Sequence, residues 1–227
     1  GGQCSSSCGK WGAIGGGCGH NVQDCFATIG GGLCNTASNY GTVGGGEQNT
    51  ACGCCHSTIG GGKGNEATAC EITIAGGRGN CTTEPGATIG GGKGNIACVC
   101  YSTIGGGQNN SIDSAAFGTI AGGAENQISC GSCAFIGGGY SLSAHSCFDV
   151  VVGGCKNDTY SAGGAGNFIG GGHNNKVSCG KQTVIVGGSK NTTSGDAKNG
   201  VIVGGYSNVV ATSAFVGSGA CNCACGT

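Results

Sequence analysis

The chain has 227 residues, among them 56 Gly, 20 Cys, one Pro, one Trp and no Met. Nine basic and ten acidic residues are scattered, so the formal charge of -1 leaves no electrostatic footprint for nucleic acid or an anionic membrane surface. Gly at this frequency without a strict three-residue period excludes collagen, and 37% hydrophobic residues with so little charge exclude a charge-driven disordered chain.

Gly loses much backbone entropy on folding, so something must offset it, and the cysteines are the obvious candidates. That many Cys fits an oxidising destination, and the expected location is extracellular, secreted or on the cell surface. No apolar run is long enough to span a membrane, and Gly1-Gly2-Gln3-Cys4 lacks a signal-peptide core, so the chain reads as mature or processed, without membrane insertion.

In chain order, a Cys-containing lead-in over 1–13 precedes a repeat over 14–224, Ile-Gly-Gly-Gly-x-x-Asn. Its first position, slot zero, falls at Ile14, Ile29, Val43, Ile59, Ile74, Ile89, Ile104, Ile120, Ile136, Val151, Ile169, Ile185, Ile202 and Val216, at intervals of 14 to 18 residues. Slot three is always Gly, and slot two is Gly except at Ser218. Slot six is Asn at 35, 49, 65, 80, 95, 110, 126, 157, 175, 191, 208 and 222, with His20 and Leu142 as departures. Slot eight is always Ala or a β-branched residue, from Val22 to Ala224.

Two separated inward positions with a Gly corner between them describe a β-arch. A helix is a poor alternative, because each interior Gly costs about 0.5–1 kcal/mol relative to Ala. Strands of about four or five residues rich in Thr, Ile and Val suit the pattern, and one arch cannot bury its own core, so units must stack. The prediction is all-β: a single-domain parallel β-solenoid over 1–227, a disulfide-reinforced β-roll of about 14 coils. At about 4.8 Å per coil it would be a rod of roughly 65–70 Å. The Gly pairs would supply positive-φ turns, and the Asn column (Asn35, Asn49, Asn65, Asn80, Asn95, Asn110, Asn126, Asn157, Asn175, Asn191, Asn208, Asn222) an amide ladder.

Thr-Ile-Gly-Gly-Gly-Lys-Gly-Asn at 58–65 and Thr-Val-Gly-Gly-Gly-Glu-Gln-Asn at 42–49, with a small residue two positions after Asn, resemble the head repeats of trimeric autotransporter adhesins. That resemblance implies a left-handed parallel β-roll. The units are also similar to plant ice-binding β-rolls, and stacked arches with many cysteines resemble archaeal sheath proteins.

Cys25, Cys55, Cys70, Cys100 and Cys147 share the slot four residues before slot zero. Cys55 and Cys70 belong to successive coils, which would bring their Cα atoms within disulfide range, so this bridge is expected first. Cys18 with Cys34, Cys133 with Cys147 and Cys81 with Cys98 are offset by one coil and at most two slots. Cys4 and Cys8 at one end and Cys221, Cys223 and Cys225 at the other either cap the ends locally or join one molecule to the next. Cys52-Gly-Cys54-Cys55-His56 and Cys221-Asn-Cys223-Ala-Cys225 bring soft ligands together, but not at zinc-finger spacings, so no metal and no cofactor is expected.

Slot minus one is Thr28, Thr42, Thr58, Thr73, Thr88, Thr103 and Thr119, and then Phe135, Val150, Phe168, Val184, Val201 and Phe215. With Val152, Val186 and Val203 at slot plus one, the later repeats carry an apolar stripe expected to be a lateral interface, unless inside and outside exchange there or a terminal loop covers it. The Thr column also admits an ice-binding reading. His20, His56, His145 and His173 fall in unrelated repeats, and no phosphate loop or carboxylate pair is legible, so neither an enzyme nor a small-molecule substrate is expected. Sequons occur at Asn80, Asn109, Asn157 and Asn191, three of them in the Asn column and expected bare.

These features point to a self-assembling structural subunit of an extracellular fibre, sheath or coat, with amyloid-like cross-β stacking. Its partner would be itself, joined end to end and laterally, and disulfides would make the assembly resistant. The alternative is a surface-binding module, an adhesin-like head or an ice binder.

Overall fold

The computed structural model describes residues 2–53, 55–160, 165–195 and 197–225. Every regular element among them is a β-strand. Strands alternate along the chain between two sheets, one built from the slot-zero positions and the other from the slot-eight positions, and their pairings are parallel. The fold is the all-β parallel β-solenoid that the repeat predicts.

The chain divides into two compact units, Gly1–Asn109 and Asn110–Thr227. In the first, the slot-zero sheet runs from Ala13–Ile14 to Thr103–Ile104 and the slot-eight sheet from Ser6–Ser7 to Ile96–Ala97. In the second, the corresponding sheets run from Thr119–Ile120 to Phe215–Val216 and from Ser111–Ile112 to Cys223–Ala224. Each strand meets its counterpart one coil later in register, as Ile59 meets Ile74 and Ile185 meets Ile202. Slot four forms a third, one-residue ladder, in which Glu47, Lys63, Arg78 and Lys93 follow one another in the first unit. There Lys63 Nζ reaches Glu47 Oε1 at 2.9 Å.

Strands are shorter than expected: among the described residues most span two residues, and only Asp158–Tyr160 and Lys176–Ser178 reach three. The reason lies in the backbone. Slot three has positive φ in every coil, from 90° at Gly188 to 135° at Gly139. Slot five and the slot three residues before slot zero are also left-handed throughout, at residues as varied as Cys34, Gln48, Glu125, Trp11, Phe26 and Glu71. Three such corners per coil leave only short extended stretches between them.

The core matches the two inward columns. Slot-zero Ile29, Ile59, Ile89, Ile136 and Ile185 and slot-eight Val22, Ala51, Ile112, Thr159 and Val210 are fully buried. Each large aliphatic side chain removed from water contributes about 1.5–3 kcal/mol. A third inward column, two residues before slot zero, is also buried: Ala27, Ser57, Ile72, Ala87, Ser102, Ala134, Asp149, Asn167 and Thr183.

The Asn column is buried except at Asn222, but its amides serve the backbone more than one another. Asn65 Nδ2 donates to Gly61 O in its own corner at 2.9 Å and to Gly77 O in the next coil at 3.0 Å. Its Oδ1 accepts the backbone N–H of Asn80 at 3.0 Å. The side-chain ladder expected from the sequence is present only as an added contact at some steps, such as Asn65 Nδ2 to Asn49 Oδ1 at 3.2 Å and Asn126 Nδ2 to Asn110 Oδ1 at 3.0 Å. The two departures differ in consequence. His20 keeps the acceptor role, its Nδ1 receiving Asn35 N–H at 3.2 Å. Leu142 donates its own N–H to Asn126 Oδ1 at 3.0 Å but has no side-chain acceptor to offer the following coil.

The Gly pair separates into two roles. A Cβ on Gly62 would overlap the carbonyl oxygen of Gly77 and lie 2.8 Å from Asn65 Nδ2, at a φ of +94°. A Cβ on Gly61 would meet only Gly45 O, at 3.8 Å. Gly62→Ala is therefore expected to destabilise the fold by more than about 2 kcal/mol, and Gly61→Ala by less than about 1 kcal/mol. Urea unfolding of the two variants checks this, and equal losses would contradict the division of roles.

Candidate interaction surface

In the second unit, slot minus one builds a continuous outward column. Phe135, Val150, Phe168, Val184, Val201 and Phe215 are successive register partners. Phe135, Phe215, Val152, Val186 and Val203 are exposed, while the slot-zero residues behind them from Ile136 to Ile202 are fully buried. Inside and outside are thus not exchanged, and the apolar stripe faces out among the described residues. Over six strands at about 4.8 Å it is roughly 24 Å long. In the first unit the same column is Thr28, Thr42, Thr58, Thr73, Thr88 and Thr103, also in register and outward.

A second outward column was not read from the sequence. At the left-handed corner before slot zero, Trp11 stacks on Phe26 at 4.7 Å, Phe26 on Tyr40 at 4.9 Å, and Tyr40 leans against His56 at 5.1 Å. The signal was available, since Tyr101, Phe117 and Phe148 occupy the same slot. Bulky residues at positive φ cost on the order of 1 kcal/mol each, and stacked aromatic pairs return about as much.

The expected Cys55–Cys70 bridge is corrected by the structure: Cys70 is disulfide-bonded, but Cys55 carries a free thiol. Successive coils at the strand spacing do not by themselves make a bridge, because a disulfide also needs Cβ atoms that converge to about 3.8 Å. Cys18, Cys34, Cys81, Cys98, Cys133 and Cys147 also have free thiols, so those three expected pairs are not bridged here either. Cys4, Cys8, Cys221, Cys223 and Cys225 are free and exposed, with the Sγ atoms of Cys223 and Cys225 3.8 Å apart. The hydrogen bond from Cys225 and its charge push the Cys223 thiol up. Burial does the same at Cys52 and Cys81. Cys54, part of the first soft-ligand cluster considered from the sequence, lies outside the described residues. The sequon residues Asn80, Asn157 and Asn191 are fully buried by the corner they hold, whereas Asn109 is exposed.

One histidine gathers polar neighbours from adjacent coils. His145 lies on the outer face of the slot-eight sheet, with Nδ1 2.6 Å from Ser129 Oγ and Nε2 3.6 Å from Asp158 Oδ1. Lys176 Nζ lies 3.8 Å from Asp158 Oδ2, and the Tyr160 ring meets the imidazole edge-on at 5.7 Å. Burial raises the Asp158 carboxyl, against the lowering effect of His145 and Lys176.

No protein-family model matches this chain, and no curated protein matches it.

Asp149 is the one carboxylate in the inward column. Its Oδ1 accepts Asn167 N–H at 2.9 Å and Nδ2 at 3.0 Å. Burial raises its carboxyl above the ordinary value of 3.8, outweighing these hydrogen bonds. A raised folded-state value favours the protonated form, so this group's contribution is most favourable below the unfolded value and is lost as pH rises through the folded one. Asp149→Asn keeps an Oδ1 acceptor and removes the charge. It is expected to raise Tm at pH 7 and to change it little at pH 3, as thermal melts would show.

Proposed function

We propose that this chain is a self-assembling structural subunit of an extracellular fibre, sheath or coat, its copies packed laterally through the apolar stripe. The observation that carries the reading is that stripe: nine apolar side chains, Phe135 to Phe215, on the outer face of a sheet whose core is already filled. Patches of this kind mark interfaces. The occupant that fits best is a second copy, because an identical column repeats at the same strand spacing and can interdigitate along its whole length.

Covalent locking is the second part of the reading. The exposed thiols of Cys4, Cys8, Cys221, Cys223 and Cys225 are available to join copies. Outside a cell, molecular oxygen can take up the two electrons and two protons that each disulfide releases. Twenty cysteines in a chain of 227 residues support that location.

The test is negative-stain electron microscopy of the protein, native and after boiling in detergent, with and without reductant, beside the variant Val186→Asp/Val203→Asp. Fibres or sheets that survive detergent, dissolve with reductant and fail to form in the double variant support the reading. Both replaced side chains are exposed, so the variant is expected to keep its fold by circular dichroism. Discrete particles of one or three chains in all conditions would contradict it and turn attention to the Thr column as a binding face.

A further inference from the structure

The polar cluster on the slot-eight sheet of the second unit combines three chemical roles in one place. The parallel register that aligns Gln127, Ser143 and Asp158 also aligns Ile128, Ala144 and Thr159. The residues that follow, Ser129, His145 and Tyr160, therefore stand in one column on the outer face, with Asp158 in the column beside it. At this place the sheet is at its widest, where Asp158–Tyr160 pairs with Lys176–Ser178 over three residues.

We propose that Ser129 is an acyl-accepting nucleophile, with His145 as its general base and Asp158 as the residue that positions the imidazole, acting on activated carboxylic esters. Ser129 Oγ and His145 Nδ1, 2.6 Å apart, are at the separation required for proton transfer. Asp158 Oδ1, 3.6 Å from Nε2 on the other side of the ring, has no hydrogen-bond partner, and the atom is buried. It favours the tautomer that leaves Nδ1 free to accept a proton. A nucleophile, a base and a third group orienting the base are the recurring elements of acyl transfer.

The sheet also sets the substrate class. Ser129 N–H is bonded to Ala144 O at 3.0 Å and His145 N–H to Thr159 O at 3.2 Å, so neither is available to an oxyanion. Lacking such donors costs about 10²–10³ in rate. Amides are excluded on that ground, and aryl esters, whose leaving group departs easily, are retained. In the first step Ser129 Oγ bonds to the acyl carbon, its proton passes to His145, and the acyl–oxygen bond breaks as the phenol leaves with that proton. In the second, His145 takes a proton from water, the hydroxide adds to the acyl carbon, and the bond to Ser129 Oγ breaks as His145 returns the proton to Oγ, giving the carboxylic acid and the restored hydroxyl.

The probe is p-nitrophenyl acetate, with phenolate release followed by absorbance and the acetylated residue located by peptide mass spectrometry. Acetyl on Ser129 is expected in the unmodified protein. Ser129→Ala should remove that adduct and the associated release, and His145→Ala should lower the rate by about 10² or more, with partial rescue by added imidazole. Asp158→Asn should lower kcat by about tenfold with KM unchanged, a split that mere loss of folding would not produce. All four proteins would be checked for equal β content. Acetyl on Lys176 or another lysine in place of Ser129, or release unchanged in Ser129→Ala, would overturn the proposal. Failure of the protein to assemble would leave it intact, because the site lies within one chain.

Discussion

The structure depends on one side chain used over and over: the Asn amide that ends twelve of the fourteen Gly corners. It bonds to a carbonyl in its own coil and to another in the next, and it accepts the next coil's N–H, as Asn65 does with Gly61, Gly77 and Asn80. Gly77 O also accepts Lys63 N–H in the slot-four ladder, but Gly61 O and Asn80 N–H lie where the chain leaves the sheets and are bonded by the amide. A buried polar group left unpaired costs about 1–3 kcal/mol. The amide removes that cost and fixes the height of one coil upon the next. The Gly before it follows from the same need, because only a residue without Cβ lets the two corners approach at positive φ.

Once the corners are set, the rest is constrained. Left-handed residues at three points per coil leave short strands, and the small slot-eight residues allow the second sheet to close on the first. The core is thin, with one large aliphatic and one smaller residue per coil supplemented by the third inward column. Outer positions are then free to vary with little cost to the fold, which is why Thr in one unit becomes Phe and Val in the other. The same freedom lets Ser129, His145 and Asp158 meet on the slot-eight face, where no core requirement calls for them.

Much of this was legible because it repeats. Slot zero, slot eight and the apolar stripe could be read from spacing, since a residue's face on a strand follows from parity and the period aligns the coils. What escaped has physical reasons. The third inward column mixes Ala, Ile, Ser, Asp and Asn, so no hydrophobic signature marks it. Left-handed φ at Trp11, Phe26 and Glu71 is imposed by the corner against local preference. The Cys55–Cys70 expectation used the Cα spacing alone, whereas a disulfide also requires converging Cβ atoms. The Ser129, His145 and Asp158 cluster needs a spatial pairing across coils of unequal length, which no short motif records.

The most direct test of the role of the Asn column is hydrogen exchange at the slot-six backbone amides, followed by NMR. Those of Asn65, Asn80 and Asn95 lie outside the regular strands and donate to the Asn Oδ1 of the preceding coil. If that bond fixes each coil upon the next, these amides exchange as slowly as the sheet amides of Ile59, Ile74 and Ile89. Exchange at the rate of exposed turns, with the sheets still protected, would show that the amides decorate the corners without holding them.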